Sequence, residues 1–309
     1  MKPFHLFFVA IISAFASLSL YAADCNGVLV PKLGGLDNSL LLDDGTIIGN
    51  SKMMINIDGY KHAYHPENLK AGALIHLCNA GKVFLPNGVS YHGSIDNATC
   101  TGRFMNDFKM IRNAGWTKTD VGVIEWYGIL AHENVILKGN KISGIKPVYQ
   151  NDEEGFFISP TALFDRKIVR EDNQERYINP LVVPFAVASK SMLKKGLKLG
   201  SYGVAYNKKT KKMVPFIVGD VGPKIGEGSP ALARSLANKP IKDPITNKER
   251  FVGSVDDNSI FWVFFNDKPL NYDKAQEINI SQYANQAFEN WGGKSRLNTC
   301  LRQPFASQQ

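Results

Sequence analysis

The chain has no C-x-x-C pair and only 4 cysteines in 309 residues, which argues against a zinc ribbon or a thioredoxin-type site. It has no internal repeat, low-complexity tract or flexible linker, so nothing points to a solenoid or a string of modules. Long apolar runs are missing too, with one exception at the N-terminus. Acid is scarce: 28 Asp and Glu stand against 36 Lys and Arg, a formal net charge of +8. An acidic surface built to grip a polycation is therefore not expected.

The one apolar run is Leu6–Leu20, preceded by Lys2 and followed by the small residues Ala22 and Ala23. It is too short to span a membrane comfortably, so residues 1–22 read as a secretory signal peptide and no stable membrane insertion is expected. Removing that segment takes away one lysine and no acid, leaving a charge of +7. All four cysteines, Cys25, Cys78, Cys100 and Cys300, lie in the exported part, which suggests two disulfides. Three pairings are possible. The preferred one joins Cys78 to Cys100 across a modest loop and ties the termini together through Cys25–Cys300. A secreted or periplasmic protein follows, with no nucleic-acid partner.

Residues 23–309 read as a single domain of mainly β structure with peripheral helices (α+β) around a β-barrel core, the double-psi type being a candidate. An irregular N-terminal lobe is expected over about 23–150, and a strand-rich catalytic part over about 151–309. In the first lobe, Asp44-Gly45 between apolar runs signals a hairpin. Residues 69–81 read as a short helix ending on glycine, 121–130 as a buried strand, and 156–159 as a strand. Further strands are expected at 181–188, 201–207, 213–219 and 260–265, and a helical tail from Asp273 to Trp291. Trp116, Trp126, Trp262 and Trp291 are more naturally core residues than sugar platforms.

The most specific segment is Met213-Val-Pro-Phe-Ile-Val-Gly-Asp220-Val-Gly-Pro-Lys224-Ile-Gly-Glu227-Gly-Ser229-Pro230. A strand-like run ends at one acid, and a glycine- and proline-punctuated loop carries a second before a helix opens. Two carboxylates on one short loop suit glycosidic bond cleavage, where one protonates the leaving oxygen and the other activates water or attacks the sugar. Ser229 is a good N-cap and Pro230 a good first helical residue. Glu227 would then sit just outside a helix N-terminus, which favours its ionised form. Asp220 closes an apolar strand, where partial burial raises its pKa. His62 and His65 stand three apart, but no Glu-His companion or cysteine cluster completes a metal set, and none is expected.

The segment over about 180–237, which includes Val183–Ala188, Leu199–Tyr206 and the Gly219-Asp220…Gly226-Glu227-Gly-Ser229 loop, resembles glycoside hydrolase family 75, the chitosanase-type enzymes and their bacterial secreted relatives. A fainter likeness covers 54–80, through Asn56-Ile-Asp58-Gly-Tyr-Lys-His-Ala-Tyr64-His65-Pro66. The strand and glycine loop are also similar, more loosely, to double-psi barrel proteins such as membrane-bound lytic transglycosylase A. The resemblance implies catalytic roles for Asp220 and Glu227, an inverting mechanism and no cofactor. It brings Asp58, Tyr64 and His65 into the substrate groove, where Lys224 and Ser229 are also expected to bind. We assign Asp220 as general acid and Glu227 as base, acting on an amino-sugar polysaccharide of the peptidoglycan or chitosan kind. The positive charge favours an anionic polymer over chitosan. Two other readings remain open, a lytic transglycosylase and a non-catalytic envelope protein that binds glycan or protein.

Overall fold

The computed structural model describes residues 24–153 and 155–303. The expected signal peptide, 1–22, lies outside them. Strand β1 (Gly27–Pro31) pairs antiparallel with β2 (Asn38–Leu42), and the chain then reverses into β3 (Ile47–Ile55). Gly45 takes φ 83° in that reversal, the hairpin its Asp-Gly dipeptide predicts.

The next hundred residues are better ordered into elements than their sequence suggests. Strand β4 (Gly81–Phe84) lies between β5 (Ser90–His92) and β6 (Val123–Trp126) in an antiparallel sheet. Helix α1 (Phe104–Asn113) buries Phe104, Phe108 and Ile111, spaced along one helical face, over that sheet. A hairpin of β7 (Ala131–Leu137) and β8 (Asn140–Pro147) adjoins it. Neither α1 nor this hairpin was expected. The helix expected over 69–81 is instead two separate 3-10 turns, Asn68–Ala71 and Leu77–Asn79. Gly72, at φ 85°, ends the first turn, and Leu74 and Ile75 then donate to the carbonyls of His62 and Ala63. The expected strand at 156–159 is only a single bridge between Tyr149 and Phe157.

The remaining strands are β9 (Phe185–Ser189), β10 (Tyr202–Asn207), β11 (Met213–Gly222), β12 (Glu227–Gly228) and β13 (Val255–Phe264). With β3 they close a six-stranded barrel in the order β3-β12-β9-β11-β10-β13, the ring completed by β13 against β3. The pairs β9–β11 and β3–β12 are parallel and the other four antiparallel. This is the expected mainly β architecture with a barrel core. Strand β3 belongs to the barrel and β1 and β2 extend its sheet beyond the ring, whereas residues 57–157 supply nearly all of a second core.

Side chains alternate between two apolar layers along the barrel strands. Ala186, Ala188, Ala205, Phe216, Val218, Trp262 and Phe264 share one core with Leu232 and Leu236 of α3 (Pro230–Leu236), which touches β3, β9, β10 and β11 and so caps the barrel. Small alanines facing large aromatics let that inner layer interdigitate. Phe185, Val187, Val204, Ile217, Phe261 and Val263 point the other way, under α4 (Ile280–Trp291) and α5 (Gly293–Leu301). Both strand faces are buried, which is why these segments read as continuous apolar runs. All four tryptophans are buried, as expected.

The disulfides are Cys25–Cys300 and Cys78–Cys100, the preferred pairing, and among the described residues no cysteine is free. Two disulfides suit an oxidising compartment. No helix among the described residues is long and apolar enough to cross a membrane.

The two bridges should differ in weight. Cys25–Cys300 spans 275 residues, and limiting so long a loop in the unfolded chain is worth about 5.5 kcal/mol; Cys78–Cys100 spans 22, worth about 3.5 kcal/mol. Replacing Cys25 and Cys300 by alanine should therefore lower the denaturant midpoint more than replacing Cys78 and Cys100. Urea titration of the two double variants checks this. The reverse order would mean that local packing, not loop entropy, sets their contributions.

Candidate active site

The two acids are brought together by different devices. Strand β11 runs in register with β9 as far as Val218↔Ala186, then resumes at Asp220↔Val187. Gly219 is the extra residue of a β-bulge. In an unbulged strand Gly219 would lie level with Val187 and Asp220 with Ala188, facing the inner layer; the bulge brings Asp220 level with Val187, which lines an open cleft. Gly219 is required there, because a Cβ would stand 2.8 Å from the Phe185 ring. Glu227 comes from β12, held between Met54 of β3 and, through Gly228, Ala186 of β9. Gly226 turns the chain into that slot at φ 127°, where a Cβ would meet the Ser51 hydroxyl at 2.6 Å.

The third carboxylate, Asp58, sits just beyond the end of β3. Its Oδ1 accepts from the Tyr64 hydroxyl at 3.1 Å and the Ser159 hydroxyl at 3.4 Å. Gly59 makes the tight turn that follows, since a Cβ there would strike the Ile178 carbonyl at 2.0 Å. Asn56 links the acids. Its Nδ2 reaches Asp58 Oδ2 at 3.4 Å and Asp220 Oδ2 at 3.5 Å, and its Oδ1 accepts from the Asp58 amide. Its side-chain amide also favours the charged form of Glu227. Asp220 Oδ1 accepts from the Ala162 backbone N–H at 2.9 Å.

Burial dominates the electrostatics of all three acids. It pushes Asp220 up to about 6, against the stabilising N–H groups of Val221 and Ala162. Asp58 lies well above the usual carboxylate range, first through burial and then through the neighbouring charge of Asp220. Glu227 is also raised by burial, with Asn56, Lys224 and Lys52 pulling the other way. This corrects the expectation that a helix N-terminus keeps Glu227 ionised. It lies two residues before the N-cap, inside a strand, and its counter-charges are lysines.

The cleft has a volume of about 1160 Å³, more than a small-molecule pocket usually needs. One wall is the barrel, with Met54, Asn56, Asp220 and Glu227; the other is the second lobe, with Tyr64, Ile75, Asn79 and Tyr127. Of the expected site residues, Asp58, Tyr64, Asp220 and Glu227 line it together. Lys224 is exposed at its edge, close enough to act on Glu227.

Two expected residues do not belong. Ser229 is completely buried: its hydroxyl donates to the Val183 carbonyl and accepts from Phe185 N and Leu232 N, so it caps α3 and pins β9 instead of touching a substrate. His65 turns away from the cleft, packs on Phe156 and accepts from the Glu67 amide. His62 lies beside Glu153. The one candidate metal-ligand group among the described residues is His76 with Cys78 and Cys100, whose sulfurs are joined to each other.

Asn56, Tyr127 and Phe251 were not singled out from sequence. Tyr127 and Phe251 line the cleft while 54% and 51% exposed, unlike the buried tryptophans. The Asn56-x-Asp58 spacing was a visible signal for the first. Exposure of the two aromatics was not.

An acid whose pKa is raised on folding holds its proton longer than in the unfolded chain. Asp220, about 6 against an ordinary 3.8, thus contributes stability that is lost as pH rises from about 4 to about 6. Asp220→Asn removes that penalty, so its melting temperature should exceed that of the parent by a few degrees at pH 7 and converge with it below pH 4. Thermal melts of both proteins across that range check the sign. A lower melting temperature at pH 7 would show that the carboxylate is held in favourable charged contacts instead. No family model and no curated protein matches the chain.

Proposed function

We propose that the protein is an exported glycosidase that hydrolyses an amino-sugar polysaccharide, as its resemblance to glycoside hydrolase family 75 implies. The observation that carries this reading is the convergence of Asp220 and Glu227, both raised in pKa, in one open cleft lined by the exposed aromatics Tyr127 and Phe251. Asp220, titrating near 6, holds a proton to give to the glycosidic oxygen. Glu227, facing Lys224 and Lys52, is the base that takes a proton from the attacking water. In an inverting enzyme these carboxyls lie roughly 6.5–9.5 Å apart so that the water fits between them. Tyr127 and Phe251 offer ring faces for sugars to lie on. Asn56 orients the acids without titrating itself.

Asp220→Asn and Glu227→Gln should each keep the fold and lower turnover by about 10²–10⁴-fold, because an amide keeps the shape and loses the proton. Mass spectrometry of products from chitosan, chitin and peptidoglycan tests the reaction. New reducing ends support hydrolysis, 1,6-anhydro ends would replace it by transglycosylation, and binding without any product would make the protein a glycan-binding one.

The pH profile gives a second test. Loss of the Asp220 proton should make the rate fall above about pH 6. Lys224 lowers the pKa of Glu227 by its charge, so Lys224→Ala should let it rise and move the acid limb of the profile to higher pH. A limb that stays in place or moves to lower pH would remove Glu227 from the role of base.

A further inference from the structure

The cleft is electrically lopsided. Three loops meet at one end of it: residues 32–36 after β1, the start of α2 (Lys190–Lys194), and 222–225 after β11. They are locked to each other, Gly34 N donating to the Ser191 hydroxyl and Ile225 N to the Gly34 carbonyl, while Gly35 packs on Lys224 and the Pro223 carbonyl. Together they carry Lys32, Lys190 and Lys224, with Lys52 of β3 beside Glu227. Lys32 makes a close ion pair with Asp37, both ends of which are exposed, whereas Lys52 and Lys224 act on Glu227 without closing a pair with it among the described residues. The other end is different. Beyond Asp58 come Tyr64, whose hydroxyl lies against Gly128, then Tyr127, Ile75 and Asn79, and no lining residue there is charged. The carboxylates stand between the two ends.

We propose that the cleft is built for an anionic glycan, seating a carboxylate-bearing sugar at the lysine end beside Glu227 and an uncharged sugar at the Tyr127 end. This rests on the glycosidase reading and sharpens it. Loose lysines beside a buried acid attract a negative substituent, and locked loops hold them at a fixed distance from the scissile bond. A polymer that alternates charged and neutral sugars would fit in one register only, so only one of its two linkages would be cut. Chitosan, cationic along its whole length, is repelled at the lysine end.

Carboxymethyl-chitin and glycol-chitin share a backbone and differ in carboxylates, so they isolate the charge. Binding is measured with Asp220→Asn protein, which separates it from turnover. Carboxymethyl-chitin should bind about tenfold more tightly than glycol-chitin at low salt, the sum of a few exposed ion pairs, and the gap should close by about 0.5 M salt. Adding Lys190→Ala and Lys224→Ala should bring the binding of carboxymethyl-chitin down to that of glycol-chitin at low salt. Equal or weaker binding of the anionic polymer, or a gap indifferent to the lysines, overturns the charge inference and leaves the glycosidase reading standing. Binding of neither polymer overturns both.

Discussion

The barrel closes through two residues. Glu227 and Gly228 fill the gap between β3 and β9, pairing parallel with one and antiparallel with the other. Without them those two strands would present unpaired N–H and C=O groups to each other across a buried seam, a costly arrangement. The same pairing fixes a side chain of the candidate site: a residue in a strand held on both sides has no backbone freedom, so Glu227 is placed as firmly as any core residue. The loop before it, with Gly226 pressed on Ser51, and the cap after it, with Ser229 buried under β9, serve the same junction. Closure and site are one construction.

The cost of that construction is electrostatic. Three carboxylates share a cleft in which burial favours their neutral forms, and the barrel, with its large apolar layers on both strand faces, supplies the stability to hold them there. Asn56 makes the crowding tolerable. A neutral amide donates to acids without adding a proton of its own, so each carboxyl keeps an individual environment: backbone N–H groups at Asp220, hydroxyls at Asp58, lysines at Glu227. Different surroundings for similar groups are what separate an acid from a base.

The second lobe contributes no carboxylate from the expected pair, yet the cleft exists because of it. Tyr127, Asn79 and Ile75 form a wall facing the barrel, and the Cys78–Cys100 bridge anchors the segment that carries two of them. Packing of α1 on its own small sheet gives this lobe a core of its own.

Short-range chemistry made several parts legible in sequence. Asp44-Gly45 announced a hairpin because only certain residues accept a positive φ, and Ser229-Pro230 announced a helix start because the first N–H groups need a partner. Continuous apolar runs marked the barrel strands, and the glycine-rich loop marked Asp220 and Glu227. The lobe around α1 and the β7–β8 hairpin was not legible, since its elements are short and stabilised by packing on each other. The fates of Ser229 and His65 were decided by tertiary structure: burial consumed the hydroxyl of one, and Phe156 drew the ring of the other away. So was the direction of Asp220, which depends on a bulge created by registering β11 against β9. The sequence by itself determined which residue types stand at which spacing. Only the fold decided which strand face is open to solvent, because side-chain direction in a sheet alternates with register, and register is a property of the pairing, not of either strand alone.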